Sequence, residues 1–113
     1  MGKLAIGDVV SCVFPFSDLS SQKFRPALVV AKADFDNVIL CQITSKAYSS
    51  SSPVVLSSDD FAEGNLPITS YIRPDKLFTA EASIVSQVYG KVAPAKMNNV
   101  LATIRMQFES TPK

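Results

Sequence analysis

Hydrophobic and polar residues alternate along much of the chain with a period of two, which is typical of β-strands. In residues 8–16, Val10, Cys12 and Phe14 share one face, so this segment predicts a half-buried strand. Residues 25–32 are rich in valine and almost entirely apolar, which is typical of a central strand. These two segments predict a chain built mainly from β-strands.

Turn-forming residues separate the other predicted elements. A polar loop at 17–23 comes before the strand at 25–32, and a turn at 34–37 leads into the returning strand of a hairpin at 38–44. The remaining segments are a serine-rich loop at 47–52, a short apolar run at 53–56, a turn or short helical piece within 57–67, and strands at 70–73 and 83–92, the last weakened or bent by Gly90.

The period changes to that of a helix near the end of the chain. Ala93 is the expected N-cap, and Pro94 suits the first helical turn. The apolar residues that follow at helical spacing are Met97, Val100, Leu101, Ile104 and Phe108. Several short strands closed by one helix predict a small, mainly antiparallel barrel with the helix packed against it.

Composition limits the class of protein. The 113 residues predict one domain, residues 1–113, and 47% hydrophobic with 19% charged residues is typical of a globular protein. We expect no membrane span, a cytoplasmic location, and buried free thiols at Cys12 and Cys41. The net charge of +1 excludes a generally basic surface, so binding to nucleic acid would need a local cluster of cations.

The chain has no histidine, so acid–base chemistry would fall to arginine, carboxylate, hydroxyl and lysine groups. Tyr71, Arg73 and Asp75 alternate, which places all three on one side of an extended segment. Arg25 begins a predicted strand and Thr44 ends one, each beside a polar loop where functional side chains are common.

This set is suited to a phosphodiester. Two arginines with the Thr44 hydroxyl and Lys46 could hold the phosphate and stabilise charge that develops on its oxygens, while Asp75 could accept a proton. Cleavage of RNA by its own 2′-hydroxyl needs a base, charge stabilisation and a proton donor, and it needs no metal or other cofactor.

Each of these residues also has a structural interpretation. Arg25 could pair with a surface carboxylate, Thr44 could cap a turn, and an Arg73–Asp75 ion pair would weaken Asp75 as a base. Because a guanidinium hardly releases its proton, we interpret Arg25 and Arg73 as phosphate clamps, and the general base and acid stay open.

Residues near these positions could also bind RNA. The cations that could form a local basic patch are Lys23, Arg25, Lys46, Arg73 and Lys76. The aromatic residues that could stack on bases are Phe24, Tyr48 and Tyr71.

Six segments, in this order along the chain, resemble the MazF/PemK-like toxins of bacterial type II toxin–antitoxin systems. They are GDVV at 7–10, FPFSD at 14–18, RPALVV at 25–30, QITS at 42–45, SYIRPDKLF at 70–78 and GKV at 90–92. The resemblance implies an SH3-like barrel with a C-terminal helix and a homodimer. It also implies metal-independent, sequence-specific cleavage of single-stranded mRNA, inhibited by a cognate antitoxin with a flexible, often acidic segment.

The resemblance also implies roles for individual residues. Arg25 and Thr44 match the usual catalytic arginine and threonine, and Arg73 and Asp75 match catalytic residues of the PemK-like branch. Ser17 or Asp18 occupies the region of a first-loop histidine that some members carry, and Phe24 replaces a polar or basic residue of many members. The expected RNA contacts are Ser17, Lys23, Phe24, Gln42, Ser45, Lys46, Tyr71 and Lys76.

Two other functions remain open from the sequence. One is a non-catalytic toxin on the same barrel, as in gyrase poisons that insert an aromatic and aliphatic C-terminal tail into their target. The end of this chain, ESTPK at 109–113, has no such residues, which disfavours that function. The other is an SH3-like module that binds RNA or peptide without cleaving it.

Overall fold

A computed structural model describes residues 4–13, 24–46 and 54–109 of the chain. Its strands pair only in antiparallel fashion, in one sheet of seven with the order β4-β6-β3-β2-β1-β7-β5. The elements are β1 (Asp8–Val13), β2 (Phe24–Lys32), β3 (Asn37–Thr44), β4 (Val54–Leu56), β5 (Phe61–Gly64), β6 (Ser70–Glu81), β7 (Val85–Val92) and α1 (Pro94–Phe108). The predicted mainly β architecture with a C-terminal helix is confirmed.

The larger hydrophobic core lies on the face of the sheet that packs against α1. Leu28 and Ile43 from the central strands contact the same cluster as Met97 and Val100 from the helix. The edge strand β4 and the distant strand β7 also contribute to this cluster, through Val54, Leu56 and Val92. Because strands from both ends of the sheet share one core, the sheet is curled into a half-barrel around the helix.

A smaller cluster lies on the opposite face of the sheet, and it includes Cys12, Ala27 and Leu40. Cys41 belongs to the larger core, so the two free, buried thiols are on different faces and cannot form a disulfide. Burial raises the pKa of Cys12 to about 11. Burial, reinforced by the charge of Asp75, raises the pKa of Cys41 to about 12, so both thiols stay protonated at neutral pH. The sequence-based expectation of buried free thiols is confirmed.

Strand β6 is longer than predicted and passes through Pro74. The pairing of β3 with β6 changes register between Cys41, opposite Leu77, and Ile43, opposite Ile72. Pro74 lies in the irregular segment between these two stretches. The β3–β6 ladder has no regular pairing there, so a residue without an N–H can be accommodated. The prediction that the strand ends at 73 is therefore wrong.

Strand β5 occupies a region predicted as a turn or helical piece, and only the 3₁₀ turn at Ser58–Asp60 matches that prediction. Gly64 of β5 pairs with Gly90 of β7. A Cβ on Gly90 would collide with the backbone of Glu63 and Gly64, so glycine here permits close approach of two strands. Gly90 also lies beside a register shift between β1 and β7, which fits the predicted bend.

Helix α1 begins as predicted, after Ala93, which makes no side-chain capping hydrogen bond. Leu101 and Ile104 pack against the larger core beside the buried helix residues named above. Phe108, which the helical pattern places in the same stripe, is 75% exposed and lies outside the core. In the described residues, no helix is both long and apolar enough to cross a membrane.

Candidate active site

Three predicted site residues form a row across the middle of the sheet. Thr44 of β3 pairs with Tyr71 of β6, and extending the pairing of Ala27 with Gln42 places Arg25 of β2 opposite Thr44. The alternation of β2 puts Arg25 on the face of Ala27, which belongs to the smaller cluster. The row therefore lies on the face of the sheet away from the helix, and all three side chains are partly exposed.

The neighbouring row contains Gln42 and the irregular segment of β6 that begins at Arg73. Arg73 Nη2 lies 3.3 Å from Asp75 Oδ2, with 19% and 48% of the two side chains exposed. The ion pair considered from the sequence is therefore present, and it keeps Arg73 and Asp75 together beside β3. Gln42, by contrast, is only 8% exposed.

Two hydrogen bonds hold the backbone that carries this ion pair. Cys41 Sγ donates to the carbonyl oxygen of Arg73 at 2.7 Å. Gln107 Nε2, near the end of α1, donates to the carbonyl oxygen of Pro74 at 2.7 Å. A core strand and the helix thus both fix the segment that presents Arg73 and Asp75.

Replacing Gln107 with leucine should lower the free energy of unfolding by about 1 kcal/mol, because the Pro74 carbonyl would lose its side-chain donor. The change is measured by urea denaturation. The matched control is Asn98→Leu, which replaces an exposed amide of the same helix and should leave the midpoint unchanged. Equal midpoints for the two variants would show that the Gln107 hydrogen bond does not stabilise the fold.

A cleft of about 620 Å³ opens where β2 and β3 meet. Arg25 and Thr44 line it together with Phe24 and Ser45, and the described residues that line it include neither Arg73 nor Asp75. Phe24 is 60% exposed. The four predicted catalytic residues therefore form two neighbouring pairs, Arg25 with Thr44 beside the cleft and Arg73 with Asp75 on the irregular segment of β6.

The Thr44 hydroxyl is part of a local turn as well as of the row. The backbone N–H of Lys46 donates to Thr44 Oγ1 at 3.2 Å. This bond uses the oxygen as an acceptor and leaves the hydroxyl proton available to a ligand, so a turn-capping role and a binding role are compatible. Of the other predicted contacts, Ser45, Lys46 and Lys76 are exposed, while Ser17, Asp18, Lys23 and Tyr48 lie outside the described residues.

Several residues around the site were not predicted from the sequence. Ile68 and Tyr89 line the cleft from elsewhere in the chain, and Gln107 supports β6 from the helix. Within the described ranges, no group of three or more Cys, Asp, Glu or His side chains is arranged to hold a metal ion.

Residues 5–108 match the sequence profile of a family described as PemK-like, MazF-like toxin of type II toxin-antitoxin system. The chain belongs to this family. All six segments that carry the resemblance in the sequence overlap the matched range, so the family identified from them is confirmed. No curated protein sequence matches this PemK/MazF-like chain significantly.

Solved structures share the fold of this PemK/MazF-like chain at low sequence identity. An endoribonuclease in complex with its cognate antitoxin, from a mycobacterial species, aligns with a TM-score of 0.72 at 20% identity, over 100% of both chains. A MazE–MazF structure from Deinococcus radiodurans aligns with a TM-score of 0.76 at 17% identity, over 98% of this chain and 100% of that one. Toxin MazF-mt6 of Mycobacterium tuberculosis aligns with a TM-score of 0.66 at 16% identity, over 91% and 99%.

Proposed function

We propose that this PemK/MazF-like toxin is an endoribonuclease that cleaves single-stranded RNA without a metal ion. The observation that carries the proposal is the row of Arg25, Thr44 and Tyr71 across three strands, with Arg73 beside it. Cationic forks, a hydroxyl and an aromatic ring on one face match the parts of an RNA strand: phosphate, sugar and base. The endoribonuclease names of structural neighbours support the same activity.

Cleavage would proceed by attack of the 2′-hydroxyl on the adjacent phosphorus. The 2′-oxygen–phosphorus bond forms, the bond to the 5′-oxygen breaks, and the products are a 2′,3′-cyclic phosphate and a 5′-hydroxyl. Arg25 and Arg73 would stabilise negative charge on the non-bridging oxygens, and the Thr44 hydroxyl would donate to one of them. The 2′-hydroxyl proton passes to a base, for which Asp75 is a candidate, and the departing oxygen takes up a proton.

Recognition of the strand would rest on residues that surround the row. Phe24 is exposed and Tyr71 is partly exposed, and both would stack on unpaired bases, which would give a preference for single strands. The exposed Lys46 and Lys76 would pair with phosphates on either side of the cut, and Ser45 lines the cleft. Ser17 and Lys23 stay predicted RNA contacts from the sequence.

A cognate antitoxin is the proposed protein partner, and the cytoplasm is the proposed location. Structural neighbours of this chain are toxins solved with an antitoxin, in one case MazE. An acidic antitoxin segment would compete with RNA for Arg25, Lys46, Arg73 and Lys76. A homodimer is also proposed, and the exposed Phe108 offers apolar surface that such an interface would cover.

Purified protein should cleave a long single-stranded RNA in the presence of EDTA. The same RNA annealed to its complement serves as the control and should resist cleavage, because paired bases cannot splay onto Phe24 and Tyr71. Cleavage that EDTA abolishes would contradict the metal-independent mechanism. Tight binding of RNA without turnover would instead favour the SH3-like binding module.

A further inference from the structure

Gln42 has a buried acceptor that no donor in the described part of the chain satisfies. Its side chain is 8% exposed, and among the described residues no donor reaches its Oε1 atom. A buried carbonyl oxygen without a hydrogen bond carries the full penalty of its desolvation, and such groups in native proteins call for an explanation. Its neighbours Ala27, across the strand pair, and Leu40, two residues earlier, are apolar, so leucine would suit this position better on packing grounds.

The position of Gln42 relates this acceptor to the proposed site. The side chain lies two residues before Thr44 on the same face of β3. On one side it has Ala27 of β2, and on the other the irregular segment of β6 that follows Arg73. The Nε atom of Arg73 is also buried without an acceptor in the described residues. An acceptor on β3 and a donor of Arg73 on the neighbouring strand β6 are therefore both buried without a partner in the described residues, and Gln42 lies two residues from Thr44 on the same face.

The chemistry of the acceptor excludes the phosphate as its ligand. A phosphodiester anion has no proton to donate, so a phosphate clamp accounts for the arginines and leaves Gln42 unexplained. The donors that an RNA strand carries are the 2′-hydroxyl and the N–H groups of the bases. The 2′-hydroxyl is both donor and acceptor, and it is the donor next to the phosphate that Arg25 and Arg73 would hold. The terminal torsion of glutamine is broad, so the amide can turn its oxygen towards a ligand, and in the described residues that oxygen has no hydrogen bond to lose.

We propose that Gln42 is a positioning residue that accepts a hydrogen bond from the ribose 2′-hydroxyl at the cut site. The proposal rests on the endoribonuclease function above. The amide is neutral and takes no proton; it orients the hydroxyl towards the phosphorus, and the base that removes the proton is a different group. The same contact distinguishes RNA from DNA at this one nucleotide.

The test compares ribose with 2′-deoxyribose at the mapped cut site. In the Arg25→Ala background, where cleavage is slow, the ribose strand should bind about 3- to 10-fold tighter than the strand with one 2′-deoxynucleotide. Adding Gln42→Leu should reduce this ratio to about 1, whereas adding Gln87→Leu, on an exposed glutamine of β7, should leave it unchanged. In the protein that keeps Arg25, the single substitution Gln42→Leu should lower kcat about 10-fold. Its melting temperature should be equal to that of wild type or higher, because the substitution removes an unsatisfied buried acceptor.

The remaining outcomes overturn the proposal. If the ratio survives Gln42→Leu, the 2′-hydroxyl is not the donor, and a change in the cut sequence would then show that Gln42 reads a base. A fall in melting temperature with the ratio unchanged would mean that the amide is structural and satisfied by water. Failure of the wild-type protein to cut RNA would contradict the proposed function itself, which separates that result from failure of the Gln42 inference.

Discussion

Arg25→Ala should lower the rate of RNA cleavage by about 10²- to 10³-fold, the loss typical of removing one preorganised donor to a developing oxyanion. Arg25 is the one arginine that is placed both in the row with Thr44 and in the lining of the cleft. A nearby lysine would not replace it, because an ammonium group is a point charge and has no planar fork of donors. The rate is measured under single-turnover conditions at a mapped cut site.

The control for Arg25→Ala is Arg105→Ala. Arg105 is exposed in the last turn of α1, so this variant removes the same charge from a surface outside the two rows. We expect its cleavage rate to stay within about twofold of wild type, as for a surface substitution away from the site. Equal losses for the two variants would mean that total charge, rather than the position of Arg25, determines the rate.

Arg73→Lys should lower kcat/KM by about 10- to 100-fold even though it keeps the charge. Arg73 contacts Asp75 through Nη2, and only 19% of its side chain is exposed, so the ion pair and its burial limit the directions its other donors can take. Lysine provides one point charge and no fork, and each lost charge-assisted hydrogen bond is worth about 1.5–3 kcal/mol. The measurement is a steady-state assay on a short RNA that contains one cut site.

Arg105→Lys makes the same chemical change at an exposed position and should have no effect on kcat/KM. Wild-type kcat/KM in Arg73→Lys would show that a point charge is sufficient at position 73. It would also remove the argument for a two-arginine phosphate clamp, while leaving the role of Arg25 standing.

The strands and the helix that were predicted from the sequence are those whose patterns are local. Residues 25–32 form a central strand as their valine content indicates, and α1 begins after Ala93. Strand β5 was missed because its four residues are largely exposed and include Gly64, so its pairing depends on Gly90, distant in the sequence. The second half of β6 was missed because Pro74 normally ends a strand, and only the register shift explains its presence.

The site residues also divide into those that a local sequence pattern predicts and those that depend on tertiary pairing. Alternation along one strand predicted that Arg73 and Asp75 lie on the same side, and the ion pair between them agrees with this. The adjacency of Arg25 and Thr44 depends on the register of β2 with β3, which the sequence pattern does not specify. Gln107 has no sequence signal at all, because a glutamine in the last turn of a helix is usually solvated and its contact with Pro74 is tertiary.

The most direct test of the central claim is the chemistry of the cut ends. Products of a defined single-stranded RNA, incubated with purified protein in EDTA, are identified by mass spectrometry. Attack by the 2′-hydroxyl predicts a 2′,3′-cyclic phosphate, or the 3′-phosphate formed from it, opposite a 5′-hydroxyl. Fragments with a 3′-hydroxyl and a 5′-phosphate would show that water attacked the phosphorus, and they would contradict the account.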